Sequence, residues 1–471
     1  MTLVAGIDLS AHSTTIVLCN ADDGTVVRQG KASHPPVSEC DPRMWWDALI
    51  AAGKDLLGHA TAVAIAGQRH AMVTLDSAGL PVRPAILPDD TRAASQARQL
   101  VAEFGGPAEW ARLTGIVPTS TSVVSKLRWL AEHEPEKAAR VDTVMLPHDW
   151  LTWRLRDGGN PGGPGPDLAT TDRSEASGTG YWSPATGDYL LDIVEDIAGQ
   201  QINLPAVASP RTHVAFTTWK AFLAPGCARE AAIALQLGLR PGDVVISLDD
   251  EAMVYAVNNA PSADPNGEVS GFADATGRFL PLVTVTNAAR VIDSVAALLN
   301  ITVAELDELA LQAPSGAGGM TFLPYLDGEQ TPRRPGASGV LAGMMTNAMR
   351  PQYLARAAFE GVMCSLADCV DRLSAHGVEP NRVFMVGRAA RMRAVQQIAP
   401  AVLGRPVIMP QPAEYAALGA ARQAAWVLVD SREPVDWASL PAMVCRGVTD
   451  AHVRKQFGQL RDETAMWQDH Q

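Results

Sequence analysis

The feature that most constrains the fold is a strand–turn–strand pattern that begins near residue 4 and occurs again near residue 244. The first copy reads VAGIDLSAHSTTIVLC and the second reads VVISLDDEAMVYAV. Further strands and helices follow each copy, and this alternation favours an α/β architecture with layered sheets. Because 471 residues are too many for one hydrophobic core, we expect two sizeable domains, each opening with a hairpin. β-hairpins are common, so coincidence remains an alternative to internal duplication.

The spacing of apolar residues predicts the individual elements, with a period of two for strands and of 3.6 for helices. The Gly/Pro-rich stretch at 156–167 predicts a surface loop, and the turn GLRPGDV at 238–244 suggests a domain boundary. The predicted strands are 3–8, 14–19, 62–66, 71–75, 244–248 and 253–257, and the predicted helices are 44–57, 92–104, 124–140, 287–299, 303–312, 351–376, 392–403 and 415–429.

The composition argues against several classes of function. A formal net charge of −13 opposes binding to nucleic acid or to an anionic membrane surface, because phosphate groups would be repelled. No apolar run reaches the roughly 20 residues of a membrane-spanning helix, and the first residues carry no basic leader. The six cysteines are scattered without a CxxC pair. We therefore expect a cytoplasmic protein with reduced, buried thiols and without a zinc site.

Several stretches are informative because of the order in which they occur. They are GIDLSAHSTT (6–15), IAGQRHAMVTLD (65–76), RPAILPDDTR (83–92), KLRWLAEHEPEKAARVDTVMLPHDWLTWRL (126–155), TDRSEASGTGYW (171–182), LGLRPGDVVISL (237–248), FLPYLDGEQTP (322–332) and EYAALGAARQAAW (414–426). From residue 4 to about residue 430 the chain resembles the FGGY carbohydrate kinases, and within that family it is most similar to xylulokinases.

The resemblance implies two actin-like (ribonuclease H-like) α/β domains of the sugar kinase/actin superfamily, facing a central cleft. It places the sugar in an N-terminal domain at 1–240 and the nucleotide in a C-terminal domain at 241–430, with a cap at 431–471. The family transfers the γ-phosphoryl group of Mg-ATP to an open-chain sugar or polyol, which for xylulokinases is D-xylulose. This transfer needs anchored phosphates, a metal ion and a general base. A homodimer remains open.

The first hairpin keeps most of the family's phosphate-binding residues. Asp8 matches the metal-associated aspartate of the family, and Ser10, Ser13 and Thr14 would supply hydrogen-bond donors beside the nucleotide phosphates. Thr15 stands where these kinases often have a lysine, so one positive charge is missing. The resemblance therefore predicts a phosphate and metal site here that is largely intact.

The second hairpin departs from the family. Its turn reads Gly-Thr-Ser-Gly in these kinases, whereas here Asp249, Asp250 and Glu251, which we call the acidic turn, precede Ala252. Two like unit charges 4 Å apart repel by about 1 kcal/mol in water and about 4 kcal/mol in a partly screened site. We therefore expect a solvated acidic turn that weakens ATP binding. The alternative is that the three acids hold Mg²⁺, which prefers oxygen ligands.

Three further positions predicted to contact the nucleotide lie in the second half of the chain, at 387–391. Gly387 and Arg391 match a glycine-rich motif on the adenine side of the family's site. Arg388 lies between them and replaces a glycine that would let the nucleotide approach the backbone. The adenine side is therefore expected to be partly filled.

The general base is also missing. Arg229 occupies the position of the family's catalytic aspartate, and a guanidinium group stays protonated and cannot accept a hydroxyl proton. Glu230 follows where the family has a sugar-binding asparagine. We interpret it as a helix N-terminal acid rather than a displaced base.

The positions expected to contact the sugar match the family's motifs only in part. Gln68 and His70 match the family's Gly-Gln-x-His pocket motif, although Arg69 between them fills a position that is usually apolar or an amide. Asp90 and Arg92 match a second motif, Asn-Asp-Thr-Arg. These residues are the predicted contacts to a sugar or polyol.

Three hypotheses follow from these departures. The first is a catalytically impaired xylulokinase homologue, retained as a binding, regulatory or assembly protein. The second is a working sugar kinase with non-standard residues, and the third is a changed chemistry in the same cleft. Arg229 and the acidic turn favour the first hypothesis.

Overall fold

The structure, a computed structural model, describes residues 1–35 and 37–468. The chain packs as two units, and each unit is assembled from separate stretches of sequence. The first unit consists of Met1–Leu239, Asn259–Leu280 and Ala413–Ser439, and the second consists of Arg240–Asn258, Pro281–Pro412 and the chain from Leu440 onward.

Short strands alternate with helices through the described residues, as the sequence predicts. The strands are β1 (Leu3–Leu9), β2 (Ser13–Asn20), β3 (Val26–Ser33), β4 (Glu39–Cys40), β5 (Ala62–Gly67), β6 (Val73–Leu75), β7 (Ala85–Ile86), β8 (Thr143–Met145), β9 (Thr170–Asp172), β10 (Ala206–Ala208), β11 (Ala215–Phe216), β12 (Phe222–Leu223), β13 (Cys227–Ala228), β14 (Val244–Leu248), β15 (Ala252–Ala256), β16 (Ser270–Ala273), β17 (Phe279–Val285), β18 (Thr321–Leu323), β19 (Val340–Ala342), β20 (Val383–Val386), β21 (Val407–Pro410) and β22 (Ala442–Cys445).

The helices are α1 (Arg43–Gly53), α2 (Ala94–Glu103), α3 (Pro107–Thr114), α4 (Val123–His133), α5 (Pro135–Ala138), α6 (Pro147–Leu155), α7 (Arg173–Ala176), α8 (Leu191–Ala198), α9 (Arg229–Gln236), α10 (Ala289–Leu298), α11 (Val303–Ala310), α12 (Pro351–Ala375), α13 (Arg393–Leu403), α14 (Tyr415–Val429) and α15 (Ala451–Glu463).

The six predicted strands are confirmed, with ends that shift by at most two residues. The single helix predicted over 124–140 is wrong, because α4 ends at His133 and a separate helix begins at Pro135. Proline has no backbone N–H to continue the hydrogen-bond ladder, so it starts a helix readily but interrupts one that is already formed. Among the described helices, none is both long and apolar enough to cross a bilayer.

Five strands have the same topology in the sheets of the two units. In the first unit β1 and β2 form an antiparallel hairpin, β3 joins β2, and β5 lies parallel to β1 on the other side. In the second unit β14 and β15 form the hairpin, β17 joins β15, and β20 lies parallel to β14. Each sheet then continues with one more parallel strand, β12 beside β5 and β21 beside β20. The match supports the internal duplication that the hairpin pattern suggested.

Each sheet is the centre of a hydrophobic core. The β1 strand is buried over Val4–Leu9 and β5 is buried along its whole length, as expected for strands covered on both faces. In the second unit, β14 is mostly buried and the 25-residue helix α12 contributes a long buried stripe. All six cysteines are buried, which confirms the prediction of buried thiols.

Candidate active site

The ends of neighbouring strands bring the predicted catalytic residues of the first unit together. Asp8 is the penultimate residue of β1, and β13, which leads directly into Arg229 at the start of α9, pairs with the end of β5. Since β5 lies beside β1, the turn after β1 and the start of α9 share one edge of the sheet. The topology thus explains why residues more than 200 positions apart are adjacent.

Arg229 forms a two-pronged ion pair with Asp8. Its Nε donates to Asp8 Oδ1 at 2.7 Å, and its Nη2 donates to Asp8 Oδ2 at 3.2 Å. The Asp8 side chain is 8% exposed and that of Arg229 is 36% exposed. The arginine at the family's base position therefore binds both oxygens of the carboxylate that the resemblance associates with the metal.

A second ion pair lies next to the first. Arg69 Nη2 donates to Glu230 Oε2, and both side chains are largely buried. The guanidinium carbon of Arg69 also lies 4.1 Å from the centre of the Phe272 ring, which is within cation–π range. Glu230 is thus not only an acid in the first turn of α9. It is the counter-ion of the arginine that interrupts the Gln68–His70 motif.

His70 is held in an unusual conformation. Its φ is +70°, in the left-handed region that a residue with a side chain rarely adopts. Burial, with the charges of Arg69 and Lys126, lowers the pKa of His70 to about 3, so its imidazole is neutral at physiological pH. Gln68 precedes it in the same loop and is buried.

Asp90 and Arg92 bind each other instead of standing free. Arg92 Nε donates to Asp90 Oδ1 at 2.8 Å and Arg92 Nη2 donates to Asp90 Oδ2 at 2.7 Å. Arg92 also pairs with Glu39 and lies 4.8 Å from the Trp129 ring. These contacts fix the conformation of the loop after β7. They also leave the Arg92 guanidinium group with three partners: Asp90, Glu39 and Trp129.

The predicted phosphate donors of the first hairpin have intramolecular partners. Ser10 Oγ donates to the Ser13 carbonyl at 2.9 Å, and the Ser13 N–H donates to Ser10 Oγ at 3.1 Å. The Thr14 hydroxyl is fully buried and lies 2.8 Å from His34 Nε2. The Ser10 and Ser13 bonds close the turn itself, while Thr14 fastens the hairpin to the loop after β3.

A buried acidic cluster lies beneath the loops that carry Arg69 and Arg229. His148 Nε2 donates to the Pro225 carbonyl at 2.6 Å, and its Nδ1 lies 2.9 Å from Asp149 Oδ1. A side chain at Gly226 would collide with this imidazole, so the chain runs directly over it. Burial opposes the charge on His148, but the hydrogen bond and the negative charge of Asp149 outweigh it and raise the pKa of His148 to about 9.

Glu175 completes this cluster. Its side chain is fully buried, and within the described chain neither carboxyl oxygen has a hydrogen-bond partner. Burial raises the pKa of Glu175 to about 8, which leaves it mostly protonated at pH 7. The cluster is therefore a buried positive histidine beside a neutral acid.

In the second unit an arginine clamps the acidic turn. Arg388 donates its backbone N–H to Asp249 Oδ1 at 2.9 Å and its Nε to Asp250 Oδ1 at 2.9 Å, and it also pairs with Asp293. The expectation of a solvated acidic turn is therefore incomplete. Asp250 is exposed, but Asp249 and Asp250 both bind the residue that replaces the family's glycine, because β14 and β20 are adjacent parallel strands.

The other nucleotide-side residues behave differently. Gly387 has a φ of +100°, and a side chain there would strike the Leu248 carbonyl, so glycine is required at this turn. Glu251 and Arg391 are exposed. Across residues 1–35 and 37–468, no three His, Cys, Asp or Glu side chains are arranged to hold a metal ion by themselves.

Sequence reasoning missed four residues of the first-unit site: Lys126, His148, Glu175 and Phe272. One signal was present, since Lys126 lies between Val123 and Leu130 on the apolar face of α4, where a charged residue is unusual. His148 and Glu175 lay inside quoted motifs without a distinguishing pattern. Phe272 could not be found from the sequence, because only the fold places it over Arg69.

Comparisons with known proteins identify the family. The chain matches the FGGY family of carbohydrate kinases, N-terminal domain, over residues 3–236, and the corresponding C-terminal domain over residues 252–428. It is 41% identical to a xylulose kinase of Streptomyces coelicolor over 443 residues, covering 90% of this chain and 88% of the relative. A xylulose kinase of Escherichia coli is 31% identical, with 89% of each chain covered.

The fold agrees with this assignment. The crystal structure of xylulose kinase from Bifidobacterium adolescentis superposes with a TM-score of 0.92 at 35% identity, covering 98% of this chain and 99% of that one. The two matching α/β sheets are those of the actin-like fold, as the resemblance implied. The chain belongs to the FGGY family of carbohydrate kinases.

Proposed function

We propose that this chain is a xylulokinase-like member of the family in which phosphoryl transfer is impaired, and that it acts by binding a pentulose in a regulatory or assembly role. The single observation that carries the proposal is the ion pair between Arg229 and Asp8. It affects both the base and the metal-associated carboxylate.

The base is affected because Arg229 cannot accept a proton, and its neighbour Glu230 is engaged by Arg69. A carboxylate that neutralises a buried arginine is a poor substitute base, since taking up a proton would leave the arginine unpaired. Loss of general-base catalysis alone typically lowers a rate by about 10² to 10⁴-fold.

Xylulose kinases of this family use ATP with a divalent metal. The residues of this chain at the corresponding positions do not fit Mg-ATP. Asp8 offers its two oxygens to Arg229, so binding Mg²⁺ requires the ion pair to break. In the second unit, Asp249 and Asp250 are bound by Arg388, whose side chain fills a position that the family leaves open for the nucleotide. We therefore expect Mg-ATP to bind weakly.

The sugar side supports retained binding of a neutral ligand. Gln68 and the neutral His70 keep the family's motif, while Arg69 and Arg92 are each neutralised by an acid of the same unit. The relatives named above are xylulose kinases, so D-xylulose is the first ligand to test.

A second candidate is an active pentulose kinase with unusual residues. It is favoured by the 41% identity to a Streptomyces coelicolor xylulose kinase over nine-tenths of the chain. In this case Asp8 would have to exchange Arg229 for a metal ion during each turnover.

A thermal-shift titration with D-xylulose and with Mg-ATP, joined to a coupled ADP-release assay, separates the two candidates. The Streptomyces coelicolor relative is the matched positive control. We expect D-xylulose to raise the melting temperature, because a ligand that binds only the native state stabilises it. We expect Mg-ATP to have little effect and turnover to be at least about 10²-fold below the control. Turnover comparable to the control would overturn the proposal.

A further inference from the structure

Lys126 is a fully buried lysine that joins the two sugar-side loops. Its Nζ donates to the carbonyl of His70 and to the carbonyl of Leu87, each at 2.6 Å. The first carbonyl belongs to the loop after β5, and the second begins the turn that leads to Asp90, whose N–H also donates to Leu87. One ammonium group thus connects the Gln68–His70 loop to the Asp90–Arg92 loop.

Two energetic costs meet at this contact. Burying an ammonium group without a carboxylate partner is unfavourable unless hydrogen bonds replace its water. A residue other than glycine is strained in the left-handed region, and His70 is such a residue with φ +70°. A methionine would fill the core at position 126 without the first cost. A lysine at position 126 has a physical explanation if its ammonium group holds the strained His70 in place through the His70 carbonyl.

We propose that Lys126 is a positioning residue, whose protonated ammonium group holds His70 in the left-handed conformation that shapes the pentulose pocket. The assignment of a pentulose pocket rests on the proposed function, whereas the mechanical link between Lys126 and His70 does not. When Lys126 loses its proton, the amine donates more weakly and the loop relaxes towards an unstrained backbone.

The charges around Lys126 make this link sensitive to pH. The titratable groups that face it are Asp89, Asp90 and Arg92 from the loop after β7, together with His70 itself. Burial is the largest influence and lowers the pKa of Lys126 to about 7, while the two acids act in the opposite direction. The two carbonyl acceptors also favour the charged form. The lysine should therefore lose its proton at or somewhat above pH 7, far below its ordinary range.

His70 is a suitable reporter because its own pKa is lowered to about 3 and its ring stays neutral throughout this range. Nuclear magnetic resonance of histidine-labelled protein, with the His70 signals assigned by a His70→Gln variant, should show one step in the His70 shifts at or above pH 7. The step should be absent in Lys126→Met. Lys137→Met, which removes an exposed lysine near α4, is the matched control and should retain it.

Glu175→Gln tests a second nearby group that titrates in this range, because burial raises the pKa of Glu175 to about 8. A step caused by His148, whose pKa is raised to about 9, would survive in Lys126→Met. A step that survives in Glu175→Gln and disappears in Lys126→Met supports the proposal. No step in the unmodified protein, or a step that survives in Lys126→Met, overturns it. The absence of a step in the unmodified protein would therefore overturn the proposal even where Lys126→Met does not fold.

A calorimetric titration with D-xylulose tests the consequence for binding. In Lys126→Met the strained His70 conformer is released, so D-xylulose binding should weaken by about tenfold or more. Lys137→Met should show little change. Unchanged D-xylulose affinity in Lys126→Met would overturn the role in binding. If the unmodified protein binds no D-xylulose at any pH, the proposed function fails, while the resonance experiment still decides whether Lys126 positions His70.

Discussion

Replacing Arg229 with aspartate should turn an ion pair into a cation site. In the unmodified protein the guanidinium group lies 2.7 Å from Asp8 Oδ1. In Arg229→Asp, two carboxylates would share that place with no positive partner between them. Without a divalent cation the variant should be less stable than the parent, and added Mg²⁺ or Mn²⁺ should restore stability, because carboxylate oxygens are their preferred ligands.

The magnitude follows from the geometry. Two unit charges about 4 Å apart repel by about 4 kcal/mol at an effective dielectric constant of 20. Since the Arg229 side chain is 36% exposed, solvent screening reduces the expected loss to about 1–2 kcal/mol. A metal ion present at about ten times its dissociation constant would return about 1.4 kcal/mol. For a unit of this size, that is a rise of about 2 °C in melting temperature.

Thermal melts with and without MgCl₂ measure both changes. Arg112→Asp is the matched control, because Arg112 makes a similar two-pronged bond to Glu109 in the same unit, but both of these side chains are exposed. That variant should lose little stability and respond little to Mg²⁺. If the parent protein gains as much from Mg²⁺ as Arg229→Asp does, Asp8 is available to metal and the reasoning is wrong.

Three further predictions concern the other charged groups. Arg388→Gly alone should weaken Mg-ATP binding, since it exposes the charge of Asp250, and calorimetry should show a gain only when the acidic turn is also changed to Gly-Thr-Ser-Gly. Burial raises the pKa of Glu175 to about 8, so the protonated carboxyl contributes its full stability below its ordinary pKa and loses it as pH rises through 8. In urea titrations the free energy of unfolding should therefore fall less steeply with pH in Glu175→Gln than in the parent, by up to about 1.4 kcal/mol per pH unit. Arg69→Gln and Glu230→Asn should each destabilise by about 3–5 kcal/mol, and the double variant by much less than their sum, as a denaturation cycle would show.

Local patterns were sufficient to predict the architecture but not the partners of the charged side chains. Apolar periodicity located six strands because strands such as β1 and β5 bury almost every residue, whereas it missed the exposed β3. Among the helices, Pro135 divides the one predicted over 124–140, and the one predicted over 44–57 ends at Gly53. Aligning Arg229 with the family's base was possible from motif order alone. That Arg229 binds Asp8 was not predictable, because the contact depends on β5 lying between two strands distant in sequence. The same holds for Arg388 and the acidic turn.

The changes from the family's pattern are joined in pairs, and this limits how they could have arisen. Arg69 and Glu230 are both buried, so either one alone would leave an uncompensated charge at a cost of about 3–5 kcal/mol. Arg229 had a carboxylate partner already in place, since Asp8 is part of the family's own motif. Arg388 similarly meets acids that replaced small residues. Each pair lies within one unit, so each pair can be tested by substitutions in that unit alone. For Arg69 with Glu230, and for Arg388 with the acidic turn, restoring one member should therefore be more damaging than restoring both.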